Sequence, residues 1–189
     1  MKTQYAQIAY WSWLALLLVW LPGYFTSKRA RDVPRLGFQI PISILLVVCF
    51  VFLFNPTLFG LGMPITPQTS LFGVIGLALD FVGVAFAIWA RLVLGRNWSG
   101  LIVTIREEDE LVQSGPYAIV RHPIYAGLLL ALVGTTLTLG TLASYVGLAA
   151  GLAALMMRVN LEEMALGEHF GETYRAYQQR TEKIIPYMW

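Results

Sequence analysis

The sequence predicts an all-α integral membrane protein of about five transmembrane helices, the last two forming a short helical hairpin. Three observations carry this. Of 189 residues, 57% belong to the apolar and aromatic set and only 13% are charged. A water-soluble domain carries about 45–50% apolar and about 25% charged residues, so this chain has too little charge to cover a globule in water. The apolar residues gather in blocks of membrane-crossing length, and the basic residues fall between those blocks.

A helix needs about 20 apolar residues to cross the hydrocarbon core, with a range of roughly 17–25. The first block runs from about Ile8 to Phe25 and the second from about Phe38 to Phe54. The third, about Ser70 to Leu94, holds one acid, Asp80. Near a bilayer centre an acid costs roughly 2.5–3.5 kcal/mol on insertion scales, so Asp80 is expected to be hydrogen-bonded to a neighbouring helix. The fourth block, Ile124 to Met157, is uncharged and too long for one span. Gly140, Thr141 and Ser144 near its middle divide it into two short helices. Gly76 with Gly83, and Gly147 with Gly151, recur at spacings that let helix backbones approach closely. Residues 1–69 hold the first two spans and 70–189 the other three with the polar segments, as one integrated domain.

Twelve of the 13 basic residues lie in three regions: Lys28 to Arg35, Arg91 to Arg121, and Arg158 to Lys183. The loop Asn55–Thr69 has no charge. Positive-inside reasoning puts the N-terminus outside and the C-terminus in the cytoplasm, as an odd number of spans requires. The basic residues are scattered, which argues against a nucleic-acid partner. A single cysteine, Cys49, excludes a disulfide framework, and two histidines, His122 and His169, are too few for an ordinary zinc site. The N-terminal apolar run is too long for a cleavable signal, with no small-residue cleavage site before Pro22.

Chemistry with water-soluble reagents is then confined to the polar stretches Arg91–Pro123 and Arg158–Trp189. Gly115-Pro116 turns the chain, and Pro123 suits the first turn of the fourth helix. Arg121 and His122 sit beside that helix start, either as part of an anion site or as headgroup anchors. Arg158, Glu162 and His169 fall roughly on one helical face. An i,i+4 pair in this order contributes at most about 0.2–0.5 kcal/mol, a weak reason to place charge where a helix leaves the membrane. The run Glu107 to Glu110 reads as a solvated loop.

Taken together, Leu94-Gly95-x-x-Trp98, Leu111-Val112-x-Ser114-Gly115-Pro116-Tyr117, Arg121-His122-Pro123-x-Tyr125-x-Gly127, Arg158-x-x-x-Glu162-Glu163 and Phe170-Gly171-x-x-Tyr174-x-x-Tyr177 resemble the isoprenylcysteine carboxyl methyltransferase family. That family consists of integral-membrane methyltransferases and includes phospholipid N-methyltransferase-like relatives. The resemblance covers Leu94 to the C-terminus; the first two spans match by hydrophobicity alone. It implies S-adenosylmethionine as cofactor, held in a cytoplasmic C-terminal pocket. By motif, Asp109, Glu110, Leu111 and Val112 border the adenosine, and Tyr117, His122, Pro123, Ile124 and Tyr125 contact the cofactor. Glu162 receives its ammonium or a sugar hydroxyl, and Arg158 faces the acceptor; these two are the catalytic candidates. Glu163, Tyr174 and Tyr177 match family positions without a separable role.

The implied chemistry suits these residues. A sulfonium methyl group is already activated, so transfer needs mainly an acceptor held about 3–3.5 Å away in line. A carboxylate acceptor needs no base, and Arg158 can orient it. An amine or thiol must arrive deprotonated, with Glu162, His122 or a tyrosine as candidate base. The expected acceptor is lipidic or apolar. The alternatives are an NADPH-dependent membrane reductase of the sterol-reductase type, and a transporter or lipid-binding module. Against the last, charge gathers at one face and not at the midplane where transporter sites lie.

Overall fold

The computed structural model describes residues 2–26, 36–55, 57–98 and 109–186. The basic loop from Lys28 to Arg35, together with Arg106, Glu107 and Glu108, lies outside the described residues. Five long helices follow in order: α1 (Lys2–Thr26), α2 (Leu36–Phe54), α3 (Ser70–Leu94), α4 (Pro123–Leu139) and α5 (Leu142–Phe170). A short α6 (Glu172–Gln178) ends the set. No β-strand occurs among the described residues, only isolated bridges joining Pro64 to Thr141 and Val120 to Glu182. α3 and α5 are long and apolar enough to cross a membrane. Large apolar side chains such as Trp11, Leu18, Val47, Leu71 and Leu92 stand exposed around the bundle, the outer surface a bilayer would cover.

α3 is the spine. It packs along α4 on one side and α1 on the other, while α2 lies along α5. Its buried stripe is built of small residues, including Gly73, Gly76, Gly83, Ala87 and Ala90. Facing them on α4 are Gly127, Ala131 and Gly134. A methyl group placed on Gly127 would stand 2.6 Å from both Ala87 N and Gly83 O, so the two backbones touch as small-residue interfaces in lipid allow. Gly147 does the same for α5 on α2 against Cys49 O, and Gly151 makes room for the Cys49 thiol and the Leu132 side chain.

Asp80 is fully buried and tied to two helices. Its Oδ1 accepts from Thr135 Oγ1 of α4 at 2.9 Å, and Ser12 Oγ of α1 lies 2.5 Å from its Oδ2. Trp13 Nε1 donates to Thr135 Oγ1 at 2.8 Å, which extends the network across the bundle.

The hairpin turns at Gly140 (φ +64°), and α5 starts with a reciprocal cap between Thr141 and Ser144. Its second arm is not short. α5 runs 29 residues, because no proline interrupts it before Gly171 (φ +52°) ends it. Arg158, Glu162 and Glu163 therefore ride on the same rigid helix as Gly147 and Gly151. Arg91, read from sequence as a loop cation, is buried in the last turn of α3 and donates to Gly95 O at 2.9 Å.

Candidate active site

Local sequence sets the site from the α4 start. Gly115 (φ +60°) and Pro116 open a 3-10 turn over Gly115–Ala118, which buries Tyr117. Pro123 then takes the first position of α4, with His122 as its cap residue. The amides of Arg121 and His122 donate to Glu182 O (2.8 Å) and Lys183 O (3.0 Å), so the chain's last described segment pins this turn. Tyr177 of α6 adds a hydrogen bond from its hydroxyl to Tyr117 O at 2.6 Å.

Two adjacent glutamates on α5 organise the polar side chains. Glu163 Oε1 accepts from Arg121 Nε (3.0 Å), His122 Nε2 (2.7 Å) and Tyr174 OH (2.6 Å). Its Oε2 accepts from Gln178 Nε2 at 2.9 Å. Glu162 accepts from the Tyr125 hydroxyl and lies 3.5 Å from His122 Nδ1 and 3.6 Å from Arg158 Nε. Arg158 Nε in turn donates to the Tyr125 hydroxyl at 2.6 Å. Both His122 nitrogens thus face carboxylates. Burial alone would lower the His122 pKa, but hydrogen bonds and charge from Glu162 and Glu163 outweigh it and raise it above the ordinary value. Burial and the nearby Glu162 charge push the Tyr117 phenol up, and burial with its bond to Glu163 does the same for Tyr174.

These residues border a cavity of about 930 Å³. At one end it is lined by Asp109, Glu110, Leu111, Val112, Tyr117, His122, Pro123, Ile124, Tyr125, Arg158 and Glu162. At the other it becomes an apolar groove walled by Leu16 and Leu17 of α1 and Leu46 and Phe50 of α2, floored by Leu128, Leu132 and Leu155. Tyr10 OH donates to Leu53 O at 3.1 Å and Trp13 meets Phe50 edge to face, which bridges α1 and α2 across it. Arg158 and Glu162 sit where the charged end meets the apolar groove.

All eleven residues singled out from sequence as cofactor, substrate or catalytic candidates therefore line one cavity. His169 does not; it is exposed and packs edge-on against Phe170. Arg121 is neither a headgroup anchor nor an open anion site. It is spent inside the protein on Glu163, Gln178 O and Thr181 O. The candidate bases already have partners or stay protonated: His122 faces two carboxylates, Tyr125 bonds Glu162 and Arg158, Glu162 is engaged by Tyr125, His122 and Arg158, and burial keeps the Tyr117 phenol protonated. Sequence reading missed the α1 and α2 wall. Tyr10, Trp13 and Trp20 share a helix face at spacings of three and seven, but membrane aromatics are equally at home facing lipid.

The sequence profile of the isoprenylcysteine carboxyl methyltransferase family matches residues 75–168. A protein-S-isoprenylcysteine O-methyltransferase B of Arabidopsis thaliana is 34% identical over 115 residues, 60% of this chain and 58% of that protein. A probable protein-S-isoprenylcysteine O-methyltransferase of Oryza sativa subsp. indica is 25% identical over 94% of this chain and 96% of its own. The solved eukaryotic intramembrane Ras methyltransferase ICMT superposes with a TM-score of 0.55 and 28% identity, over 77% of this chain and 52% of that one. The chain thus spans little more than half of the Arabidopsis protein and of the solved structure, and nearly all of the rice protein. Apolar helices, an all-α fold like that of an intramembrane methyltransferase, and motifs from Leu94 to Glu163 that fall inside the matched profile converge on one assignment: the chain belongs to the isoprenylcysteine carboxyl methyltransferase family.

Proposed function

We propose that the protein transfers a methyl group from S-adenosylmethionine to the carboxylate of an apolar, prenylcysteine-like acceptor at the cytoplasmic face of the membrane. The single observation that carries this is the position of Arg158: a buried guanidinium on the seam between the charged end of the cavity and its apolar groove. An acceptor with a carboxylate head and an apolar tail matches that seam, because the head gains a charge-assisted partner while the tail stays in an apolar wall.

The charged end suits the cofactor. Leu111, Val112 and Ile124 offer an apolar wall for adenine, and Asp109, Glu110 and Glu162 offer carboxylates for ribose hydroxyls and an ammonium. When bound, the cofactor supplies an activated methyl group on sulfur. The chain's own residues orient and exclude. Tyr125 holds Arg158 and Glu162 in register through one hydroxyl, and His122 fixes Glu162 from the other side. Of the candidate bases, Glu162 is the ionised carboxylate able to take a proton, and it is already engaged by Tyr125, His122 and Arg158. A carboxylate acceptor needs none taken, whereas an amine or thiol does.

In this reading the five long helices are the five spans, with the N-terminus outside and α6 in the cytoplasm. The apolar groove between α1 and α2 admits the acceptor from the lipid. The NADPH-reductase alternative gains no support from the relatives above, which carry methyltransferase names.

The test is incubation of purified protein in lipid nanodiscs with methyl-labelled S-adenosylmethionine and an N-acetyl-S-prenylcysteine. A carboxyl methyl ester releases its label as methanol in base; N- and S-methyl products retain it. Base-labile product that depends on Arg158 and Glu162 is the expected result. Absence of saturable S-adenosylhomocysteine binding by calorimetry would overturn the proposal.

A further inference from the structure

Asp80 is a buried acid within an apolar helix, and the methyl-transfer site makes no direct use of it. Neither it nor Thr135 lines the cavity, whereas Trp13 does. A carboxyl group at that depth is costly, and joining helices does not account for it. Ser12 Oγ also has Ala9 O at 2.6 Å, and the glycine seam already closes α3 on α4. What the carboxyl group adds is direction. A threonine inside a helix ordinarily donates to the carbonyl one turn back, as Thr138 does to Gly134 O at 2.9 Å. Thr135 instead gives its single proton to Asp80 Oδ1 at 2.9 Å, so its oxygen faces Trp13 Nε1 as an acceptor at 2.8 Å. Trp13, held this way, meets Phe50 of α2 edge to face, 5.4 Å between ring centroids. Without the carboxyl oxygen the Thr135 proton has no acceptor in place, and the bond back along the helix would turn the hydroxyl from Trp13.

We infer that Asp80 is a positioning residue for the acceptor: acting through Thr135, it locks the Trp13 indole as a fixed wall of the apolar groove. This rests on the methyl-transfer reading above. A wall side chain that must be ordered when a tail binds subtracts from affinity, and one ordered beforehand does not. The lock is remote from the reacting end. Thr135 follows Tyr125 by ten residues on α4, about 15 Å along the helix. Asp80 therefore acts on acceptor binding and not on the methyl step or on the cofactor, whose charged end of the cavity borrows nothing from Trp13.

The experiment is a double-mutant cycle in lipid nanodiscs, with N-acetyl-S-farnesylcysteine as acceptor and Asp80→Leu, Trp13→Phe and the double variant set beside wild type and Asp80→Asn. Phenylalanine keeps a ring toward Phe50 and removes the donor. Asp80→Leu and Trp13→Phe are each expected to raise the acceptor KM about fivefold at unchanged kcat and S-adenosylhomocysteine affinity. The double variant shows the same rise of about fivefold, because both changes break one relay. Asp80→Asn, whose amide oxygen still accepts from Thr135, stays within about twofold of wild type. Should Asp80→Leu not fold, Thr135→Val takes its place in the cycle. A wild-type KM for Trp13→Phe overturns the inference whether or not the other variants fold. So do single effects that multiply in the double variant, an Asp80→Asn as impaired as Asp80→Leu, or a weakened S-adenosylhomocysteine affinity, which marks a general loosening of the bundle. If wild-type protein forms no ester at all, the methyl-transfer reading fails and this inference with it; ester formed at one KM by every variant sinks this inference alone.

Discussion

Glu163→Gln is the sharpest single perturbation. The amide is isosteric, and it can keep its oxygen toward Arg121, His122 and Tyr174 while its NH2 meets the Gln178 amide, which can turn to accept. Geometry is thus nearly preserved and charge is not. Arg121 and Glu163 are only 9% and 12% exposed at their side chains, and His122 3%. Breaking a buried ion pair by neutralising one partner costs about 3–5 kcal/mol. Arg121 retains Gln178 O and Thr181 O, and His122 retains Glu162, so the lower end, about 3 kcal/mol, is expected. For a chain of this size about 1 kcal/mol moves Tm by about 2–4 °C, giving a fall of about 6–12 °C. The assay is thermal unfolding in detergent followed by tryptophan fluorescence. Glu172→Gln is the control, because its pair with Arg175 is 84% and 70% exposed and such pairs contribute about 0–1 kcal/mol. If Glu163→Gln melts within 2 °C of Glu172→Gln, the buried network is not what fastens α6 to the α4 start.

Asp80→Asn keeps the interhelical bonds, since the amide can donate to Ser12 Oγ, whose own proton reaches Ala9 O at 2.6 Å, and accept from Thr135. Stability within about 1 kcal/mol of wild type is expected, while Asp80→Leu loses about 1–3 kcal/mol for the Thr135 proton left without its acceptor, Ser12 keeping Ala9 O; equal losses in thermal unfolding would refute a hydrogen-bonding role. His122 gives the pH dependence. Its folded pKa is raised above an unfolded value of about 6.5, so its pairing with Glu162 and Glu163 stabilises the protein fully below about pH 6.5. That contribution is lost as pH climbs through the folded value. The stability gap between wild type and His122→Gln should narrow as pH rises from 6 to 9, and parallel curves would count against a charged His122.

How far the sequence could be read depended on what each residue does in lipid. Helix positions were legible because a bilayer admits few backbone solutions; Gly140, Pro123 and Gly115 marked boundaries the structure keeps. The reach of α5 was legible only in part: hydrophobicity stops at Met157, and the charged continuation showed itself only in the shared helical face of Arg158, Glu162 and His169, not as one unbroken helix from Leu142. The eleven candidate residues were found through ordered motifs, and they meet around one cavity. The apolar half of that cavity escaped notice, since leucine, tryptophan and phenylalanine in a membrane helix look alike whether they face lipid or a groove. The partner of Asp80 was hidden for a different reason: Ser12 and Thr135 lie 68 and 55 positions away, and only the α1–α3–α4 packing brings them in.

Glu162 and Glu163 are consecutive on α5 yet serve opposite directions, about 100° apart on the helix. Glu163 faces the donors that fasten α6 and the chain end; Glu162 faces the cavity with Tyr125 and Arg158. His122 touches both, one ring nitrogen to each. Its ring cannot rotate to favour one carboxylate without leaving the other. The scaffold and the cavity floor are therefore one electrostatic unit, and a mutation at Arg121 or Tyr174, both bonded to Glu163, should loosen the seam where the acceptor carboxylate is proposed to lie. Fixing such a seam from outside is economical in a membrane enzyme: the groove must open to lipid for an apolar tail, so its polar end has to be held rigid by groups placed behind it.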